Sequence, residues 1–381
     1  MTANLYWGFT MRFGALERFG KGVLGAILAP ILKTSPAKVV REGFSFRLKQ
    51  SLHRVLIVKQ DDRLGNLMLM TPMLTALRQR LPGAEIHLLL SDLYASVFRA
   101  DLRVNRLLIM EKRRQIRNPL VLLSFLKKLR AEEYDLVIEA SDVNNFSFNN
   151  SLLARLARTE LRVGYNKREN RGLLNVALEP PERPAHATEM YLNLLRPFWA
   201  DLTTPEMRVD IPPEEIEWGR SLLSSLGFQV SDRKVAIHLG GRGKKGLPAG
   251  DVAQLSAKLS REFGMRLIFI SGPSEQKHLS RIKANLPSGS VFLSGLSILE
   301  LASLLANVEL FISADTGPLH LAVACGCSTL SVFTSSDLNK FAPQGENHRQ
   351  VRYFDGDFPL EELIEKVGEL LPVPAEINRI S

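Results

Sequence analysis

The chain has 381 residues, 45% hydrophobic and 23% charged, which suits two domains at roughly 100–200 residues each. That balance excludes a disordered or collagen-like chain, and the longest apolar run, residues 23–32, falls far short of the roughly 20 residues of a membrane span. The net charge of +9 sits at the start: residues 1–54 hold nine Lys/Arg against two acids, leaving a nearly neutral body that gives nucleic-acid binding little support.

Residues 1–53 read as a basic amphipathic arm. Tyr6, Trp7, Phe9, Phe13 and Phe19 interleave with Arg12, Arg18 and Lys21 ahead of the apolar run. Such a segment suits the headgroup region of an anionic membrane, through residues 1–50, and equally a flexible extension or a helix packed on the body. A signal peptide is a third reading, weakened by a long stretch before the apolar run and a poor cleavage site at residues 34–37.

From residue 54 onward, β-rich runs alternate with amphipathic helices. Strands are predicted at 55–59, 85–91, 104–110, 135–141 and 161–165, with helices at 67–80, 119–130 and 151–158 between them. Prolines 180, 181, 184, 205, 212 and 213 punctuate a junction around a helix at 186–199. Alternation resumes with strands at 235–239, 266–271, 291–294, 310–314 and 329–334, and helices at 251–263, 275–285, 298–306 and 318–325. The pattern describes an α/β protein of two Rossmann-like domains with parallel sheets, 54–205 and 206–381. Ligands of such sheets bind beyond the carboxyl ends of the strands, so a cleft between the domains is the expected site. Cys325 and Cys327 fit small core residues better than metal ligands.

Two loops carry candidate chemistry. Lys59-Gln60-Asp61-Asp62-Arg63-Leu64-Gly65-Asn66 follows the first predicted strand and brings acids, an arginine and a turn glycine to the ligand end. Either acid could instead be a cap or a surface ion partner, and Thr71-Pro72 is an alternative helix start. The second loop, Ser313-Ala314-Asp315-Thr316-Gly317-Pro318-Leu319-His320, opens a helix whose backbone N–H groups make an anion site; an ordinary capped helix start reads the same way.

These segments bear a resemblance. Residues 55–82, "VLIVKQDDRLGNLMLMTPMLTALRQRLP", and 294–337, "SGLSILELASLLANVELFISADTGPLHLAVACGCSTLSVFTSSD", resemble the bacterial heptosyltransferase family, glycosyltransferase family nine. So do "RVGY" at 162–165, "HLGGRGKKGLP" at 238–248 and "SGPSEQ" at 271–276, in consistent order over roughly 54–355. The resemblance implies the glycosyltransferase B architecture, with the first domain taking the acceptor and the second a nucleotide-diphosphate sugar, typically ADP-heptose. It implies an inverting, metal-independent transfer without a cofactor, onto a lipopolysaccharide core or related anionic glycolipid at the cytoplasmic face of the inner membrane.

By position, Lys245, with Lys244 as alternate, faces the phosphates. Asp315, Thr316, Gly317 and His320 form the donor site, and Ser271 and Gly272 approach the nucleotide. Gly65, Lys167, Arg168 and Arg171 fall on the acceptor side. For His320 a helix-face histidine in the interdomain cleft is the alternative. Two departures stand out. The residue after the loop glycine is usually an aspartate, the expected base, and here it is Asn66, whose amide can orient a hydroxyl but not accept its proton. Asp62 first, then Asp61, are the candidates to replace it, the pKa of one rising if the pair sits close together. Leu247 stands where a tryptophan commonly precedes the proline, which leaves open a different nucleotide sugar. Asn66 leaves open a catalytically silent binding protein.

Overall fold

The computed structural model describes residues 38–41, 51–143, 147–167, 172–240, 247, 249–272, 286–353 and 358–371. In chain order, the first half runs β1 (Lys38–Val40), β2 (Arg54–Val58), α1 (Leu64–Arg80), β3 (Glu85–Ser91), a 3-10 turn (Asp92–Phe98), β4 (Arg106–Met110), α2 (Lys112–Arg117), α3 (Pro119–Ala131) and β5 (Leu136–Glu139). It continues through α4 (Phe148–Leu156), β6 (Leu161–Tyr165), β7 (Val176–Leu178) and α5 (Ala187–Leu192). The second half runs α6 (Pro213–Ser225), β8 (Arg233–His238), α7 (Ala249–Phe263), β9 (Met265–Ser271), β10 (Val291–Ser294), α8 (Ile298–Leu305) and β11 (Leu310–Ala314). It closes with α9 (Gly317–Ala324), β12 (Ser328–Phe333), α10 (Leu338–Phe341), β13 (His348–Arg352) and α11 (Leu360–Leu370).

The strands form two parallel sheets, ordered β1-β7-β6-β5-β2-β3-β4 and β10-β9-β8-β11-β12-β13. Central strands such as Val55–Val58 and Leu136–Glu139 are buried on both faces, which is why they read as unbroken apolar runs rather than alternating ones. The outer face of the first sheet is covered by α3 and α4, and that of the second by α7 and α11. Between the sheets one continuous apolar core joins Leu67, Met70 and Leu74 of α1 to Leu301 and Leu305 of α8 and Leu321 of α9.

Three expectations need correction. The arm does not lie wholly outside the fold, because Lys38–Val40 pairs in parallel with Val176–Leu178 and forms the sheet edge. Three-residue strands such as β1 and β7 are too short to carry a recognisable pattern. The helix predicted at 186–199 stops as an α-helix at Leu192 and continues in turns, because Pro197 disfavours helical backbone at the residue before it. Thr71-Pro72 does not begin a helix but lies inside α1. Pro72 cannot donate to the Met68 carbonyl, and the Thr71 hydroxyl does so instead at 2.7 Å. The helix expected at 275–285 lies outside the described residues.

The segment between the domains is anchored on both sides. Arg208 N–H donates to Thr71 Oγ1 at 3.1 Å, and Arg103 reaches the Arg208 carbonyl at 2.7 Å. One residue on, Val209 N–H donates to the Ala324 carbonyl at the end of α9.

Candidate active site

The ladder of β2 delivers Lys59 into a fully buried position, where Nζ donates to Tyr191 Oη at 2.9 Å and lies 3.2 Å from Asp61 Oδ2. Asp61 accepts from Asn66 Nδ2 on Oδ2 at 2.7 Å, and from Arg63 N–H on Oδ1 at 3.1 Å. Burial would raise the Asp61 pKa, but the Lys59 ammonium and the Asn66 and Lys59 hydrogen bonds outweigh it and hold the carboxyl below its usual range. For Lys59, burial opposes the charge, yet the Tyr191 hydroxyl and Asp61 keep its pKa above the ordinary value.

Asp62 turns the other way. Its carboxylate meets Lys112 Nζ at 2.7 Å and its carbonyl accepts from Tyr94 Oη at 3.1 Å. The two acids therefore do not face each other, and the expected rise in the pKa of one is corrected to a lowering at Asp61. Asp61 shares its carboxylate with Asn66 beside the cleft, while the Asp62 side chain is 59% exposed.

The carboxyl ends of β5 and β6 supply the next wall. Glu139 is fully buried, accepts from the Ser141 hydroxyl, and has its pKa raised by burial despite Lys167 and Lys59 nearby. Ser141 accepts from Asn150 Nδ2 at 3.1 Å, and Asn150 Oδ1 in turn accepts from Gln60 N–H. Gly164, the glycine of the RVGY segment, lets β6 pass this carboxyl, since a Cβ there would lie 3.1 Å from Glu139 Oε2. A shallow, narrow cleft is lined by Asn66, Ser141, Asp142, Tyr191 and, from the second domain, Lys340 and Phe341.

Facing the acidic loop is the start of α9. Thr316 sits at the cap position, but its hydroxyl pairs with Ser313 Oγ at 3.0 Å and no side chain caps the helix. The first-turn N–H groups thus keep the positive end of the helix directed toward the loop side. His320 is buried, with Nε2 3.6 Å from Asp315 Oδ1, and Nδ1 has no hydrogen-bond partner among the described residues. The starts of α1 and α9 touch. A Cβ on Gly65 would lie 2.9 Å from His320 Cδ2, and one on Gly317 would lie 3.0 Å from Leu64 Cβ. A side chain at Gly65 would have to displace the His320 ring, and one at Gly317 would crowd Leu64.

Of the expected donor residues, Gly317 and His320 are thus brought against Leu64 and Gly65, with Asp315 beside His320 and Thr316 beside Ser313. Ser271 is buried at the end of β9 with Gly272 after it, and Lys167 Nζ donates to the Asp142 carbonyl at 2.7 Å on the cleft wall. Lys244, Lys245, Arg168 and Arg171 lie outside the described residues. Leu247 is buried in the second domain's outer core. Sequence reasoning missed Glu139, Tyr191, Asn150 and Lys340, whose proximity comes from crossovers in the chain; only Glu139, an acid ending an apolar strand, left a visible trace.

The sequence profile of "Glycosyltransferase family 9 (heptosyltransferase)" matches residues 122–358, well over half of the chain. The chain belongs to glycosyltransferase family 9. It is 23% identical over 309 residues to lipopolysaccharide heptosyltransferase 3 of Escherichia coli, covering 77% of this chain and 87% of that protein. Among solved structures, the family 9 glycosyltransferase of Veillonella parvula superposes with a TM-score of 0.73 at 18% identity, over 87% of this chain and 97% of that one. Escherichia coli heptosyltransferase WaaC with ADP gives 0.67 at 21% identity, over 83% and 99%. The chain is accordingly a glycosyltransferase with two parallel-sheet α/β domains, as the motifs imply. No helix among the described residues is long and apolar enough to cross a membrane.

Proposed function

We propose that this family 9 glycosyltransferase moves a heptose from ADP-heptose to an anionic lipopolysaccharide core acceptor at the cytoplasmic face of the inner membrane, with inversion and without a metal or organic cofactor. The observation that carries the reading is the Asp61 carboxylate, its pKa lowered, hydrogen-bonded to Asn66, which lines the cleft and directly follows Gly65, where the uncapped start of α9 makes contact. Asp61 takes the acceptor hydroxyl proton as that oxygen forms its bond to the anomeric carbon. The bond from that carbon to the diphosphate oxygen breaks, and the diphosphate leaves with the electron pair. Backbone N–H groups near Thr316–Gly317, together with the Lys245 and His320 side chains, answer its charge, with Asp315 in the same donor site and Ser271 and Gly272 beside the nucleotide. Lys167, Arg168, Arg171 and Lys340 meet acceptor anions, and residues 1–37 hold the enzyme at the membrane surface.

The test is nucleoside-diphosphate release from a panel of nucleotide sugars, with and without a heptose-deficient core acceptor. Acceptor-dependent ADP release from ADP-heptose is expected. Release from another donor overturns the sugar assignment, for which Leu247 is the motivating departure. Binding of a nucleoside diphosphate without turnover on any donor would favour a silent binding protein, the reading that Asn66 motivates.

A further inference from the structure

The near-neutral body hides a strong local asymmetry. Residues 112–130 contain seven Lys/Arg and no acid, although residues 55–381 together net only +2. This stretch folds into α2 and α3, the connection leaving the edge strand β4. On its inner face, α3 packs Phe125, Leu126 and Leu129 against the sheet. The outer face carries Leu120 and Leu123, 76% and 61% exposed and one turn apart, with Lys127 and Lys128 exposed at the next turns. Arg114 and Arg117 of α2 are exposed alongside.

A helix that faces only water keeps apolar side chains on its core stripe. Two outward leucines bordered by cations instead match a helix that rests on a bilayer, aliphatics below the headgroups and cations among the phosphates. The chain's own first 37 residues do not suit the surface, since they carry four Lys/Arg against one acid and like charge opposes the contact.

We propose that the outer face of α2–α3 docks on an anionic lipid bilayer, independently of the N-terminal arm. Leu120 and Leu123 enter the interfacial layer, and the surrounding Lys/Arg contact lipid phosphates. Lys112 begins this face and holds Asp62 in the β2–α1 loop, so docking places the cleft beside the lipid surface. Where the acceptor is the glycolipid proposed above, it then reaches Asp61 without leaving the bilayer.

The test uses the full chain with vesicles of phosphatidylglycerol and phosphatidylethanolamine, and phosphatidylcholine vesicles as the neutral control. An environment-sensitive fluorophore is attached through Leu123→Cys; burial raises the pKa of both native thiols, Cys325 and Cys327, which disfavours their labelling. The expected result is a blue shift with anionic vesicles only, reversed by salt, and binding weakened about tenfold or more by Leu120→Ser/Leu123→Ser or by Lys127→Glu/Lys128→Glu. A probe that stays in water while the protein sediments with vesicles overturns the proposal, because the arm then binds alone. Unchanged affinity in both double variants overturns it as well.

Discussion

Replacing Asp61 with asparagine separates the catalytic reading from a structural one, because the geometry sets a magnitude for each. The Lys59 ammonium lies 3.2 Å from the carboxylate, an attraction of ~5 kcal/mol at an effective dielectric near 20. Lys59 is fully buried, so leaving its charge unpaired costs about 3–5 kcal/mol, capped by release of its proton. The single variant is therefore destabilised, and its stability rises with pH, because burial then pushes the folded Lys59 pKa below its unfolded value. In the parent protein the acid side has the same sign, in a lower pH window. The folded Asp61 pKa is lowered, so its contribution is present above the ordinary carboxylate range and is lost as pH falls through the lowered value. The catalytic effect is read in Lys59→Met/Asp61→Asn, which restores charge balance. Urea denaturation should recover in this double variant, while acceptor-dependent nucleotide release stays about 100- to 10,000-fold down with donor affinity kept. Parent-level turnover in either variant would refute the assignment of Asp61 as base.

Four further outcomes follow from packing, titration and strand pairing. Gly65→Ala, whose Cβ would press on His320, should cost about 1–3 kcal/mol and weaken donor binding in calorimetry. Gly219→Ala, against the Ser303 carbonyl in the α6–α8 contact, should lower Tm while donor affinity stays unchanged in the folded protein. Glu139→Gln should flatten the pH dependence of urea stability above the ordinary carboxylate range. The raised folded pKa of Glu139 makes its contribution full below the unfolded value and lost as pH rises through the folded one. Deletion of 1–50 should melt below deletion of 1–37, because only the longer cut removes β1 from the edge of β7. Equal melting temperatures would show that β1 adds nothing.

Strands buried on both faces were the most legible part of the fold. Glu85–Ser91, Leu161–Tyr165 and Leu310–Ala314 coincide with their predicted bounds, since each is a compact, largely buried run flanked by turn residues. Short or polar strands were not legible: β13 reads HRQVR, and only Val351 is fully buried. At the site, both loops were visible as motifs, but the direction of each side chain was not. Adjacent Asp61 and Asp62 look equivalent in sequence, and only the fold brings Lys59 and Asn66 to one and Lys112 to the other. Tyr191 and Asn150 are 132 and 90 residues from the partners they meet beside the cleft, a separation no local pattern encodes.

The linker contacts bear on how such a molecule can move. Helices α1 and α9 each begin with one half of the site, and those beginnings touch through Gly65 and Gly317. Farther along, Thr71 of α1 holds Arg208 and Ala324 at the end of α9 holds Val209, so the same two helices are tied again by consecutive linker residues. Two helices fixed to each other at two points form an axle. A rotation of one domain against the other about that axle would part Lys340 from Asp142 while the touching starts of α1 and α9 stay together. In such a machine, substrate entry and the distance between reacting groups are governed by different contacts, so each can change in evolution without spoiling the other.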